Sequence, residues 1–335
     1  MRHRFAVIVL TVAACGLVAP AWAADPAPDL SKYLPEGAGF YVQINVQQFL
    51  AAPVVRKAVP MAMDKYGDVL MQFAQFAKAF DPNAANIQND DIKKVIDELK
   101  KPETIAKGFD NAKDAVTDII VAGEPGDEAN ILVVVKCNPI VTPDMVKGLA
   151  GLAGAAPQIK IKTHEKNDKT IYEIQAPQQP QSFFVTLPEA GVICLGASQS
   201  LVEKAAAGKA GGIKGDLKKL VAARKKTDFI FFAMTGGADD SVPKSGWGRL
   251  VLDSDISGEM SGTFSNGDKA TDHAKEVNDH IGQFAETVKG ALGAPGKDIA
   301  AALEKAKAVT SGSTVTAKFL LPGSAIEKLL AKEKD

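Results

Sequence analysis

The feature that most constrains the fold is a series of short apolar runs separated by turn residues. Val116 to Ala122 and Ile131 to Cys137 flank Gly123 to Asp127, which has the composition of a turn. Apolar runs of this length around such a turn pair as an antiparallel hairpin. Two more hairpins of this kind are predicted, from the runs Ile159 to Thr163, Thr170 to Gln175, Ser182 to Leu187 and Val192 to Gly196.

Amphipathic helices are predicted between and after these strands. The strand Phe40 to Val46 alternates, with Phe40, Val42, Ile44 and Val46 on one face and Tyr41, Gln43 and Asn45 on the other. Apolar residues then recur at spacings of three and four from Val59 to Phe80, the period of a helix with one buried face. A second long helix starts at Asn266, with its stripe at Ala270, Ala274, Val277, Ile281, Phe284 and Val288. The predicted fold class is α+β: mostly antiparallel sheets with long amphipathic helices packed on them.

The chain divides into two halves that share an order of elements. Four glycines between Ala207 and Gly215 interrupt a helical pattern and predict a linker at residues 207–215. The α+β halves are therefore residues 24–206 and 216–335. Each opens with an apolar strand, passes through a strand into an amphipathic helix, and ends with more strand and a closing helix, so an internal duplication is one interpretation.

The first 23 residues resemble a cleaved signal peptide. Arg2, His3 and Arg4 precede the uncharged run Phe5 to Val18, and the segment ends in Ala21-Trp22-Ala23, which suits signal peptidase. Export is the expectation, with no transmembrane domain left after cleavage. Two alternatives stay open: an uncleaved helical anchor, and a lipid anchor on Cys15, because Val12 to Cys15 resembles a bacterial lipobox.

Charge excludes some classes of partner. Removing Arg2 and Arg4 leaves 37 of the 39 basic side chains against all 40 acidic ones, a net charge of −3 on 312 residues. Such a chain has no electrostatic reason to bind nucleic acid or anionic lipid. The basic run Lys218 to Lys226 lies beside the stripe Leu217, Leu220 and Val221 and reads as the solvated side of a helix.

Two cysteines, Cys137 and Cys194, follow the leader, each in an apolar strand. An oxidising compartment permits a disulfide between them, whereas buried thiols behave as small apolar side chains. Both interpretations stay open.

The opening of the mature chain is similar to that of a known group. Tyr33 to Val46, with a Leu-Pro turn and a strand ending in Asn-Val, then Ala52-Pro53-Val54-Val55, resembles a group of exported bacterial proteins of unknown function. The strand Ser257 to Phe264, the long Ala-rich helix and Gly312 to Thr316 resemble the same group. This resemblance implies export and an α+β fold and brings no known activity.

Four motifs approach known chemistry and each departs from it. Gly196-Ala-Ser198-Gln-Ser200 resembles a nucleophile elbow whose last position should be Gly, and helix capping, including a Ser200–Glu203 capping box, explains both serines. Asp253-Ser-Asp255-Ile-Ser257-Gly258 matches half of a calcium loop, but Phe264 stands where a Glu is required.

His273 and His280 could hold a surface metal, although helical ligand pairs normally lie four residues apart. Gly290 to Lys297 has the wrong spacing for a phosphate loop, and Asp298 replaces its Ser or Thr. The sequence therefore assigns no catalytic, cofactor-binding or metal-ligating residue and predicts no cofactor. It favours an exported, non-enzymatic binding or structural protein of the periplasm or cell envelope. The alternative is an exported hydrolase whose site a single sequence does not reveal.

Overall fold

The structure is a computed structural model that describes residues 30–63, 97, 101–112, 116–137, 160–166, 168–175, 181–236 and 242–331. The predicted signal peptide, Cys15 and the stripe from residue 64 to Phe80 lie outside these residues. The helices are α1 (Val46–Ala51), α2 (Pro102–Ala112), α3 (Gln199–Ala206), α4 (Gly215–Val221), α5 (Gly267–Leu303) and α6 (Gly323–Leu330). Residues 53–63 are also helical.

The strands are β1 (Phe40–Asn45), β2 (Val116–Gly123), β3 (Leu132–Cys137), β4 (Lys160–Lys166), β5 (Lys169–Gln175), β6 (Phe183–Glu189), β7 (Val192–Gly196), β8 (Ile230–Thr235), β9 (Ser245–Leu252), β10 (Ile256–Thr263), β11 (Lys307–Ser311) and β12 (Thr314–Leu321). They form one antiparallel sheet of 12 strands in the order β11-β12-β10-β9-β8-β1-β2-β3-β7-β6-β5-β4. The α+β class and the three predicted hairpins are thus confirmed. The strands of both halves belong to one sheet rather than to several.

The two halves meet at the centre of this sheet, where β1 pairs with β8 from Phe40↔Met234 to Ile44↔Ile230. Over the five strands nearest this pair on the N-terminal side, and all five on the C-terminal side, the strand order is the same; β5 and β4 extend the N-terminal side beyond it. Outward from it come the second and third strands of each half, β2 and β3 or β9 and β10, and then two strands in reversed order, β7-β6 or β12-β11. A duplication followed by antiparallel joining of the two first strands would leave this order.

The sheet has two faces, A and B, that bury different clusters. Face A carries the largest cluster, which includes Tyr41, Val134, Cys194 and Phe231 and is covered by α3, α4 and residues 30–34. Face B carries three clusters, one under α5 and one where α1 and residues 53–63 pack on β9. Side chains alternate between the two faces along a strand. The face of each remaining strand residue therefore follows from the cluster residues next to it.

On β1 the face that carries polar side chains is the more deeply buried one, whereas the alternation predicts burial of the apolar face. Tyr41 and Gln43 are only 3% and 6% exposed, whereas Phe40, Val42 and Ile44 are partly exposed. The alternation was read correctly, but β1 is a central strand, and face A carries the large core at this point. Polar side chains can be buried here because they bind one another.

The C-terminal helices also differ from the prediction. The sequence from Lys297 to Lys307 predicts a separate short helix that leads into a strand at Ser313. In the structure α5 continues to Leu303 across a non-helical Gly293 (φ 60°), and residues 307–311 form the strand β11. The polar run Gly236 to Gly246 predicts a loop, but strand β9 already starts at Ser245. On α5, Ala285 is buried and Phe284 is 58% exposed, so the buried position here lies one residue later than predicted.

Residues 207–215 connect α3 and α4 and are held against the start of the chain. The Gly212 amide donates to the Leu34 carbonyl (2.9 Å) and the Glu36 amide donates to the Ala210 carbonyl (3.0 Å). Ala210 and Ile213 are buried in the face A core. The backbone takes this path because Gly211 and Gly212 adopt positive φ angles of 97° and 71°, which glycine allows without steric strain.

Both edges of the sheet are protected against pairing with another strand. β4 carries Lys160, Lys162 and Lys166, and lysines on an edge strand oppose addition. At β11, Asn278 of α5 donates to the Ala308 carbonyl (3.0 Å) and accepts from the Ala308 amide (2.8 Å). These are the two bonds that a neighbouring strand would make.

We expect Asn278→Ala to lower the free energy of unfolding by about 1–2 kcal/mol, because it removes two hydrogen bonds to backbone. Urea unfolding with circular dichroism measures this. The exposed neighbour Asp279→Ala is the control and should change stability by less than about 0.5 kcal/mol. Equal midpoints for the wild type and Asn278→Ala would show that Asn278 does not hold the edge.

A polar network at the centre of face A joins strands β1 and β2 to the end of α4. The Tyr41 hydroxyl (2.5 Å) and the Arg224 guanidinium both donate to Gln43 Oε1, and Gln43 Nε2 donates to Asp118 Oδ1 (2.6 Å). Beside it, the Tyr41 ring meets Phe231 edge to face, and Phe231 stacks on Trp247. Burial raises the pKa of Tyr41 to about 12, more than the nearby Arg224 lowers it.

This pKa makes stability depend on pH in the alkaline range. The unfolded chain ionises tyrosine near its ordinary pKa of about 10, while folded Tyr41 stays protonated, so stability is complete below pH 10 and falls as pH rises toward 12. We expect Tyr41→Phe to show a smaller fall between pH 9 and 11, by about 1.4 kcal/mol, because pH 11 is one unit above the unfolded pKa. Urea midpoints at pH 9, 10 and 11 measure the difference. Parallel curves for the two proteins would contradict it.

Candidate functional site

Face A has no helix of the described chain packed on β10, β12 and β11. The helices at this end of the sheet, α5 and α6, both pack on face B, through Ala270 and Ala274 and through Ile326. We call this region the open face: the face A side chains of β10, β12 and β11. Its members with hydroxyls are Ser257, Ser261, Thr263, Thr314, Thr316 and Ser311. Two aliphatic side chains stand out on it, Val309 (59% exposed) and Leu320 (54% exposed).

A row of charges crosses into the open face. Glu259 lies between Arg249 and Lys318 in the strand register and binds both, at 3.1 Å and 2.9 Å. The hydrogen bond from Lys318 holds the pKa of Glu259 below its usual range. Arg249 also lies over the Trp247 ring, 4.5 Å from its centroid. The row fixes these side chains in place and leaves Lys307, opposite Lys318, at the exposed end.

The open face differs from the matching region of the N-terminal half. There α3 follows β7 and covers face A, where Val202 and Ala205 are buried. In the C-terminal half the helix after β12, α6, packs on face B instead. Equivalent strands therefore carry a helix in one half and solvent-facing side chains in the other. This difference between two halves with a shared strand order makes the open face the candidate contact surface.

A second group of polar side chains lies on β4, β5 and the start of β6. His164 Nε2 lies 2.9 Å from Glu173 Oε2, and the Ser182 hydroxyl donates to Glu173 Oε1 (2.8 Å). Lys162 is 3.9 Å from the same carboxylate. The bonds from His164 and Ser182 lower the pKa of Glu173. Ser182 also lines a shallow open pocket of about 320 Å³ with Ala129, Gln181, Phe184 and Ala197.

The order of contacts in this group matters for chemistry. In a serine hydrolase the histidine lies between the serine and the acid. Here Glu173 lies between Ser182 and His164, so the histidine is not placed to take the serine proton. No local sequence pattern connects His164 to Glu173 or Ser182, because only the strand register brings the three together.

The serine motif at residues 196–200 and the aspartate motif at residues 253–258 both have structural roles. Ser198 caps α3 by accepting from the Leu201 amide (3.3 Å); the predicted capping box at Ser200 is wrong, since Ser200 lies inside the helix and is exposed. Asp253 and Asp255 form the β9–β10 turn, and Asp255 accepts from the Gly323 amide at the start of α6 (2.9 Å). Residues 256–263 are strand, as the alternation indicated.

The histidine and glycine motifs lie on α5. His273 packs against the Phe264 ring with centroids 4.8 Å apart, and His280 is exposed. Among the described residues no group of three or more metal-ligating side chains comes together. Residues 290–297 are part of α5 and include its kink at Gly293.

Cys137 and Cys194 lie on opposite faces of the sheet, Cys137 in a face B cluster and Cys194 in the face A core. A disulfide between them is therefore excluded. Burial raises the pKa of the Cys194 thiol, which keeps it protonated and unreactive.

Within the ranges that the structure describes, no helix combines the length and apolar character needed to span a membrane. No protein family matches the chain, and no curated protein does. Two crystal structures of TP0453, its crystal forms III and I, are similar, with TM-scores of 0.43 and 0.40 and 9% and 10% sequence identity. Each match covers 91% of this chain and 98% of the other.

Proposed function

We propose that this chain is an exported, non-enzymatic binding or structural protein of the periplasm or cell envelope, and that the open face is its binding surface. Support for export comes from the leader, residues 1–23. Support for binding comes from one observation: Val309 and Leu320 are more than half exposed on a sheet face whose counterpart in the other half is covered by α3.

The chemistry of the open face indicates how it binds. Lys307 and Lys318 lie opposite each other between the two aliphatic side chains, and rows of hydroxyls flank them. Arg249 and Glu259, whose side chains are 11% and 25% exposed, are held by their ion pair, so little of their side-chain entropy is lost on binding. A partner with apolar groups around one or two acids would match it.

Site-specific photo-cross-linking in the cells that make the protein tests this proposal. A photoreactive phenylalanine at Val309 or Leu320 should give an adduct of one defined mass, and the same probe at Phe284, equally exposed on α5, should not. Charge reversal by Lys318→Glu should reduce the yield at Val309 several-fold. Equal yields at all three positions, or no adduct at the open face, would contradict the proposal.

The alternative function, an exported hydrolase, has one specific observation in its favour. The fold brings Ser182, Glu173 and His164 together beside the pocket of Phe184 and Gln181. A hydrolase at this site would turn over esters, phosphates or peptides, with loss of at least 100-fold in Ser182→Ala. Ser200→Ala, an exposed serine outside the group, is the control. Absence of turnover, or equal turnover in both variants, would exclude this site as the catalyst.

A further inference from the structure

A row of hydroxyl groups crosses face A from β8 to β11. Each of five neighbouring strands contributes one residue, and each residue is the register partner of the next: Thr235, Ser245, Thr263, Thr314 and Ser311. We call this set the hydroxyl ladder. Thr235 and Ser245 share face A with Ala233 and Trp247, which lie two residues further along the same strands. Because neighbouring strands lie about 4.8 Å apart, the ladder presents one hydroxyl per step over about 19 Å.

The hydroxyl ladder keeps hydrogen-bonding capacity for a ligand. All five of its residues are exposed or partly exposed. Thr263 and Thr314 share one hydrogen bond, with their Oγ1 atoms 3.4 Å apart, and Thr235 Oγ1 donates to the Gly39 carbonyl at 3.5 Å. Because a hydroxyl donates one hydrogen bond and accepts two, each of these three can still accept at least one more.

Two further rows lie parallel to the ladder, each about 7 Å further along the strands. The nearer row holds Ser261, Thr316 and Val309. The next row holds Glu259, Lys318 and Lys307, in which both lysines are exposed and the carboxylate already binds Lys318 and Arg249. The first two rows on β10, β12 and β11 are therefore uncharged, and the third has an excess of positive charge.

This composition does not match a protein partner. The centre of a protein interface is typically rich in aromatic residues and poor in lysine and serine. Val309 pairs with Thr316, and Leu320 lies four residues further along β12, so the two aliphatic side chains are about 14 Å apart. At that separation they cannot form one apolar centre.

An acidic glycan has the groups that the three rows require. In an extended β-linked glycan the sugar rings follow one another at close to the spacing of strands in a sheet, so successive rings meet successive hydroxyls of the ladder. Each ring carries hydroxyls at its edge and C–H groups on its faces, which suit Thr316 and Val309. A carboxylate on the ring extends the match to Lys318 and Lys307 by charge-assisted hydrogen bonds.

We propose that the open face binds an extended, β-linked glycan that carries carboxylates. Its rings lie along the hydroxyl ladder, and its carboxylates bind Lys307 and Lys318. This inference rests on the proposed function, since it names the class of ligand for the same surface. A protein and a neutral glycan are the competing occupants.

Isothermal titration calorimetry of the mature chain, residues 24–335, with hexamannuronate tests this inference. Hexamannuronate is a β-linked chain of uronate rings, and cellohexaose is the control, with the same length and linkage but no carboxylates. Hexamannuronate should bind, and cellohexaose should bind at least roughly tenfold more weakly, because it cannot pair with the lysines. The affinity for hexamannuronate should fall as salt rises from about 0.05 M to about 0.5 M, because salt screens exposed charges.

Substitutions that remove hydroxyls and keep the side-chain shape test the ladder itself. The double variant Thr314→Val, Thr316→Val should weaken the binding of hexamannuronate at least roughly tenfold, while valine suits a strand as well as threonine does. Thr310→Val is the matched control, because Thr310 is exposed on the neighbouring strand but on face B, and it should leave binding unchanged. Lys307→Gln should weaken hexamannuronate several-fold and leave cellohexaose unaffected.

The outcomes separate the possible occupants. No binding of hexamannuronate at millimolar concentration would overturn the glycan, and so would equal affinity for cellohexaose or equal losses in Thr310→Val and the double variant. An adduct between Val309 and another protein in cells would also overturn it, but it would leave the open face as a binding surface. Failure of both the titration and the cross-link would remove the proposed function as well.

Discussion

The pairing of β1 with β8 is the interaction on which the rest of the structure depends. It joins the first strands of the two halves by backbone hydrogen bonds from Phe40↔Met234 to Ile44↔Ile230, and so turns two groups of strands into one sheet. A sheet whose centre is buried needs side chains that fill both faces there. The aromatic row Tyr41, Phe231 and Trp247 and the polar network around Gln43 meet this need on face A.

The central position of β1 also explains the limits of prediction from sequence. The hairpins β2–β3, β4–β5 and β6–β7 were predicted because apolar runs and turn residues are local features. The burial of Tyr41 and Gln43 was not, since it depends on strands more than a hundred residues away. The strand β11 was missed, because the Ala-rich run predicts a helix that ends at Lys307 and the residues after it have no alternation strong enough to indicate a strand before Ser313.

The candidate surfaces, too, are predicted by the sequence in their local features but not in their tertiary contacts. The alternation of Thr314, Thr316, Lys318 and Leu320 is visible in the sequence and predicts a strand with one polar face. Only the tertiary structure shows that this face stays uncovered, because α6 packs on the opposite side. Likewise, Ser182, Glu173 and His164 are spread over three strands, and their contacts depend on the register of β4, β5 and β6. Capping by Ser198 was predictable, since its partner is three residues away.

The two ends of the sheet show how a wide antiparallel sheet can remain a single molecule while keeping surfaces for contact. At β4, edge pairing with other chains is opposed by lysines, which repel an added strand. At β11 it is opposed by Asn278 of α5, which already binds the backbone carbonyl and amide of Ala308. Contact through the faces is not opposed in this way. Because edge addition is unspecific in sequence and face contacts depend on particular side chains, a surface such as the proposed open face selects a partner by the match to its own side chains, here Val309, Leu320 and the lysines between them.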